Sequence, residues 1–247
     1  MIKIAGTTVS PSNIDGQWPS GSIGIKIIDS MASSWAVYDY ESLGQLQFEL
    51  KLRMNIIAAS RDLDQSGVTF ASFYYSKCNS DYWYFTRDGG FLLKQGVNPS
   101  TAIMDIFTNG SKYSFECATA MVIVYYKAVL ESLPVETFDR LFAGLYLLGW
   151  WYKDEDLGFS SYKRRDYFPG DYRYFKNPDV NPRTPEWQGE NVIDMGDGTY
   201  YGHPIGIKTA DQMVGFLNEH RKPWARWSAF LMDMAGHPDF KYLSRYE

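Results

Sequence analysis

Residues Tyr113 to Leu130 read YSFECATAMVIVYYKAVL, and the pattern inside this stretch decides how the chain must fold. From Ala118 onward almost every position is apolar, so a helix here has no polar face to offer water and must run through the interior. The expected helix covers roughly Phe115 to Ser132. Cys117 stands at its first turn. A buried helix start carries backbone N–H groups without intrahelical partners, and its dipole favours a thiolate over a thiol. Cysteine acyl-transfer chemistry needs such a nucleophile, and the same amides can hold a developing oxyanion. A free cysteine is also an ordinary small core hydrophobe, and position alone leaves both readings open.

Working outward, Leu43, Leu46, Leu50, Met54 and Ile57 recur at helical spacing, with Leu52 and Ile56 widening the stripe. They predict a helix from Ser42 that ends before the Ser66-Gly67 break. Residues 68 to 95 hold β-branched and aromatic runs around an Asp-Gly-Gly turn and predict extended chain or a hairpin, with Cys78 in the first run. Ser100 is expected to cap a short helix through Phe107, and Pro134 admits another from Val135 to about Leu148. After Trp151 the chain breaks into short aromatic segments separated by Gly, Pro and Asn, which predict a small antiparallel sheet. Helices return at about Ala210 to His220 and Ala225 to Met234. Residues 1 to 40, rich in Ser and Gly, read as a loosely ordered arm with one short strand at Ile23 to Ile28. The sum is an α+β chain with one principal domain over residues 41 to 247.

The 247 residues carry a net charge of −5. An acidic chain lacks the cationic footprint that displaces counterions from phosphate, which argues against a nucleic-acid partner. No apolar run reaches the length of a membrane span, so no membrane partner is expected. The two cysteines, Cys78 and Cys117, are far apart and without clustered histidines, so no metal centre, calcium loop or other cofactor is expected. Aromatic residues make up 17% of the chain, enough to make sticky, partly wet surfaces plausible.

YSFECATAMVIVYYKAVL resembles the active-site segment of the Bacillus spore-coat transglutaminases, in which the cysteine after Phe-Glu is the nucleophile. FELKLRMNIIAAS, YFKNPDVNP, EWQGENVI and YYGHPIGI match further blocks of that family in the same order. Together they cover about residues 38 to 235. The resemblance implies a papain-like cysteine-enzyme core whose small antiparallel sheet is flanked by helices. It implies protein-glutamine gamma-glutamyltransferase activity, with a cysteine thioester formed from a protein glutamine and aminolysed by a protein lysine, and without metal or cofactor. The implied protein partners are spore coat proteins bearing Gln and Lys side chains. The implied location is the mother-cell cytoplasm and the spore coat surface.

By the same resemblance Cys117 is the nucleophile and Glu190, in Gly-Glu-Asn-Val, its general base. Glu116 is either an assistant in proton transfer or a first-turn acid that suits the helix dipole. His203, in Gly-His-Pro, is placed to orient or neutralise the glutamate. A carboxylate beside a thiolate repels it, so the resting pair is expected to share one proton. Trp187 is a candidate for desolvating Glu190, and Trp150-Trp151 with Tyr167 to Phe175 for walling the cleft. Two alternatives stay open: a papain-like cysteine hydrolase or cell-wall peptidase, and a non-catalytic structural coat protein.

Overall fold

The computed structural model describes residues 1–14, 18–19, 21–150, 152–163 and 166–247. The first half runs β1 (Ile2–Ile4), β2 (Thr7–Thr8), α1 (Ile23–Ser33), β3 (Tyr38–Tyr40), α2 (Leu43–Gln65), β4 (Thr69–Phe70), β5 (Trp83–Phe85), β6 (Phe91–Leu93), α3 (Pro99–Thr108), β7 (Ser114–Phe115) and α4 (Cys117–Leu130). The second runs α5 (Val135–Leu141), β8 (Tyr146–Leu147), β9 (Ser160–Tyr162), β10 (Tyr172–Lys176), β11 (Gly189–Asp194), β12 (Thr199–Gly202), β13 (Gly206–Thr209), α6 (Ala210–Glu219), β14 (Phe230–Leu231), β15 (Ala235–His237) and α7 (Phe240–Leu243).

α4 is the axis of the molecule. Every residue from Ala118 to Leu130 is buried, as its all-round apolar sequence requires. α2 packs along it, adding Leu52, Ile56, Ile57 and Leu63 to the same core. Ser42 starts α2 by accepting the Gln45 N–H at 3.1 Å, an ordinary serine N-cap worth about 1 kcal/mol. Against α4 lies an antiparallel sheet in the order β13-β12-β11-β10-β15-β9, with β14 also paired to β10. Tyr172, Tyr174 and Ile193 turn toward the α4 core, whereas Phe175 and Val192 pack on Met213 and Leu217 of α6. Two-residue alternation therefore buries both faces, and β11 brings Glu190 and Asn191 to the first turn of α4. The α+β expectation holds, and so does the expected hairpin: Trp83 pairs with Leu93 and Phe85 with Phe91 around the glycine turn.

Several local expectations do not. Ile23–Ser33 is a helix, capped by Ser22, with Gly24, Ile27, Ile28 and Met31 buried at helical spacing. The described part of residues 1–40 is packed: Ile2, Ile27, Ile28 and Met31 share a core with Leu46 and Leu50 of α2, so no seam falls at residue 41. α3 begins after Asn98, whose side chain makes no cap bond, with Pro99 in its first turn, while the Ser100 hydroxyl is spent on Asp139 at 2.9 Å. α5 stops at Leu141, and Leu145 and Leu147 turn inward instead as β8 joins β6. The segment from Ala225 to Met234 is not helical. Asp179 holds the Arg226 and Trp227 N–H groups, and Phe230–Leu231 extends along β10.

Candidate active site

The site is assembled at the start of α4. Glu116 is the N-cap: its Oε2 accepts the Ala118 N–H and its Oε1 the Thr119 N–H, both at 2.6 Å. Thr119 Oγ1 also donates to Glu116 Oε1 at 2.6 Å and accepts the Gly149 N–H at 2.9 Å. Two of the amides expected to serve an oxyanion, those of Ala118 and Thr119, are therefore already occupied by the glutamate, which narrows that part of the reading. Of the two roles weighed for Glu116, the geometry displays the cap, and the Cys117 side chain also hydrogen-bonds this carboxylate, which keeps the proton-transfer role within reach. Both carboxylate oxygens are used in the cap.

Cys117, partly buried, points toward β11. Asn191 Nδ2 donates to its Sγ at 3.0 Å. Asn191 is held in that orientation through Oδ1, which accepts from Tyr172 Oη at 2.8 Å and from Trp150 Nε1 at 3.3 Å. Trp150 in turn stacks on Phe159 with ring centroids 4.3 Å apart and meets Tyr172 edge-on at 4.9 Å. Asn191 is the asparagine of the Gly-Glu-Asn-Val motif, but the motif assigns it no role. A signal was available: it shares its side of β11 with buried Ile193, and a polar side chain facing a core has to be bonded to something.

Glu190 is buried to 1% exposure, and its Oε1 has no hydrogen-bond partner. Burial first, and then the charge of Glu116, push its carboxyl well above the usual carboxylate range, against a hydrogen bond from the His203 backbone N–H. Close approach of backbone surrounds it. A Cβ on Gly202 would sit 2.9 Å from both Glu190 Cγ and Oε1, and one on Gly189 would fall 2.1 Å from the Tyr174 hydroxyl. The Cys117 thiol is pushed up as well, by burial and then by Glu190 and Glu116, and is drawn down by the N–H groups of Asn191. Both groups are thus raised, by burial and by like charge, so the ionised forms of the sulfur and the carboxyl disfavour each other. Because both rise, burial alone does not bring the two affinities together. Asn191 works against that rise at the sulfur, since its donor favours the thiolate.

His203 belongs to the same cluster, but by its main chain. Its ring faces the carbonyls of Thr69 and Phe115 and packs against the Phe115 ring at 5.2 Å. Burial lowers its pKa to about 4, so the imidazole is neutral and supplies no charge to Glu190. The expected charge-neutralising histidine is thus a structural one, whose backbone N–H touches the glutamate. Trp187 stacks on Phe70, and Phe70 lies against His203. Tyr172 and Tyr174 feel the charges of Cys117 and Glu190 and stand at the site. Phe168 lies in the second core, and Trp151 falls outside the described residues. Cys78, half-buried near Tyr113, has its thiol pushed up to about 11 by burial. Among the described residues no group of His, Cys, Asp or Glu could hold a metal ion.

This geometry can run acyl transfer: a sulfur with a fixed donor, a buried carboxyl able to pass a proton, and aromatic walls that exclude water. A family model described as protein-glutamine gamma-glutamyltransferase matches residues 1–247. A protein-glutamine gamma-glutamyltransferase of Bacillus cereus strain B4264 is 45% identical over 246 residues, spanning 100% of this chain and 89% of the relative. One from Bacillus anthracis is 45% identical over 244 residues, spanning 99% and 88%. Among solved structures, a transglutaminase from Geobacillus stearothermophilus without its C-terminal extension is 52% identical, with TM-score 0.79, covering 82% of this chain and 97% of that one.

Proposed function

Because the chain belongs to the protein-glutamine gamma-glutamyltransferase family, and so joins protein glutamines to protein lysines, we propose that Cys117 and Glu190 perform the transfer through a thioester. The observation that carries this reading is the Asn191 N–H seated on the Cys117 sulfur beside a buried carboxyl with one oxygen unsatisfied.

The thiolate attacks the carboxamide carbon of a glutamine side chain while Glu190 keeps the shared proton. Collapse of the adduct breaks the carbon–nitrogen bond, and Glu190 gives its proton to the departing ammonia. That leaves a thioester on Cys117 and a carboxylate at Glu190. A lysine amine then attacks the thioester, Glu190 takes a proton from it, and the carbon–sulfur bond breaks to return the starting pair. Lysine is almost wholly protonated at neutral pH, with a reference pKa of about 10.4, so a base with raised proton affinity suits the second step. Glu116 contributes by holding the first turn of α4 and by its charge, with Glu190 the main proton carrier. His203 positions Glu190 by its backbone.

The resemblance to spore-coat enzymes supports coat proteins as the substrates and the mother cell and coat surface as the location. A tagged chain followed through sporulation in its host would refute this by staying away from the coat. For the chemistry, Cys117→Ala should abolish amine incorporation and Cys78→Ala should leave most of it. Glu190→Gln should cost about 10²- to 10⁴-fold, the usual worth of general acid–base help, and Glu116→Gln much less. Equal losses from the two cysteine variants, or from the two glutamate variants, would overturn the assignment.

A further inference from the structure

The loop between α6 and β14 presents aromatic rings to water from a rigid frame. Trp224 is 95% exposed, Trp227 70% and Phe230 48%. The frame is built by Asp179: its Oδ2 accepts the Arg226 N–H at 2.6 Å and the Trp227 N–H at 2.8 Å, and its Oδ1 pairs with Lys222 Nζ at 2.7 Å. Arg221 donates to the Trp227 carbonyl at 3.2 Å, and Asn218 Oδ1 accepts the Ala229 N–H at 2.9 Å. Trp224 itself sits at φ +65°, a left-handed conformation that glycine adopts freely and a bulky residue does not. A strained, solvated tryptophan on a pinned loop costs stability and adds no burial. Strain of this kind collects at sites of function, and Trp and Arg held in advance are the residues that dominate recognition.

Charge and position say what the loop faces. Among the described residues, Lys222 pairs with Asp179 and neither Arg221 nor Arg226 forms an ion pair, in a chain whose net charge is −5. The loop runs into β14, where Phe230 pairs with Lys176 and Leu231 with Phe175, and β10 pairs Lys176 with Gly189 and Phe175 with Glu190 on its other side. Two strand spacings, about 10 Å, separate the loop's end from the strand that carries Glu190. We propose that this loop is a docking site for an acidic segment flanking the reactive glutamine of the protein substrate, with Trp224 and Trp227 as anchors and Arg226 and its neighbours as the charge match. The acyl donor is the fitting occupant, because the reactive group of the lysine substrate is itself a cation and the loop repels it. This rests on the reading of Cys117 and Glu190 as the reacting pair.

The test compares full-length wild type with Trp224→Gly and Arg226→Glu on three acyl donors: carbobenzoxy-glutaminyl-glycine and two peptides with one glutamine, flanked by four glutamates or by four lysines. Trp224→Gly suits φ +65° and should keep or raise Tm, and Arg226→Glu leaves the backbone N–H on Asp179 in place. Wild type should prefer the acidic peptide, less so as salt rises from 0.05 to 0.5 M. Each variant should lose about tenfold in kcat/KM on it, through KM, while staying within about twofold on the small donor. Two results would overturn the loop's role with the chemistry intact: a normal small-donor rate with the acidic peptide unaffected, or a change in sedimentation of Trp224→Gly without a kinetic change, which would make the loop a contact between copies. Failure of wild type on all three donors would remove the underlying reading instead, and the docking site with it.

Discussion

Replacing Asn191 with alanine should disarm the thiol without unfolding the enzyme. Its Nδ2 is the side-chain donor 3.0 Å from the Cys117 sulfur, and a hydrogen bond to a charged partner is worth about 1.5–3 kcal/mol. Each 1.4 kcal/mol is a factor of ten, so at any pH below the titration midpoint Asn191→Ala should cut the thiolate fraction about 10- to 100-fold. The sign follows from which form the donor serves: it stabilises the thiolate, so its loss moves the midpoint of the iodoacetamide alkylation profile to higher pH. Tyr172→Phe is the matched control. It removes one of the two holds on Asn191 Oδ1 and leaves the donor in place, so its shift should be in the same direction and smaller. Alkylation of Asn191→Ala at the wild-type rate, or a midpoint moved downward, would refute the account of how this thiol is activated.

Gly202→Ala is a steric test of the glutamate: Gly202 does not have a positive φ, yet the new Cβ would lie 2.9 Å from Glu190 Cγ and Oε1. Overpacking of this kind costs about 1–3 kcal/mol, and amine incorporation should fall at least about tenfold, as the base is lost from position; a fully active variant would place the working carboxyl elsewhere. Glu190 also predicts a pH effect on stability. Its folded-state proton affinity is raised, so its contribution is present below the unfolded value of about 4.3 and is lost as pH rises through the folded value. The Tm of Glu190→Gln should match wild type near pH 4 and exceed it increasingly toward pH 8; calorimetry showing a gap independent of pH would contradict a buried ionisable Glu190.

What was legible in the sequence was what local pattern controls. The all-apolar run after Cys117 dictated a buried helix, Ser42 and Gly67 bounded α2, and the aromatic segments after residue 151 delivered strands. Long-range partners decided the rest. Ile23 to Ile28 is β-branched enough to suggest a strand, but burial against Leu46 and Leu50 selects the helix. Ala225 to Met234 contains good helix formers, yet carboxyl and amide groups from Asp179 and Asn218 hold its backbone open. At the site, Cys117, Glu190 and Glu116 could be named from motifs, and they do converge. Which side of His203 touches Glu190, and that Glu116 takes the Ala118 and Thr119 amides, depend on atoms that no spacing rule places.

The bonds around the sulfur form a closed circuit. Glu116 caps the turn that begins at Cys117, Thr119 bridges that cap to the Gly149 amide, and Trp150, next in the chain, reaches Asn191, which returns to Cys117. In a closed circuit each member is located from two directions, so breaking one link leaves every other still anchored by the longer way round. The sulfur is thus referenced at once to the helix, the sheet and the loop between them. A substrate that displaces the Trp150 indole would loosen Asn191 without touching the cysteine. Indole fluorescence is therefore a natural gauge of how the nucleophile is held, recorded by the protein itself as its cleft fills.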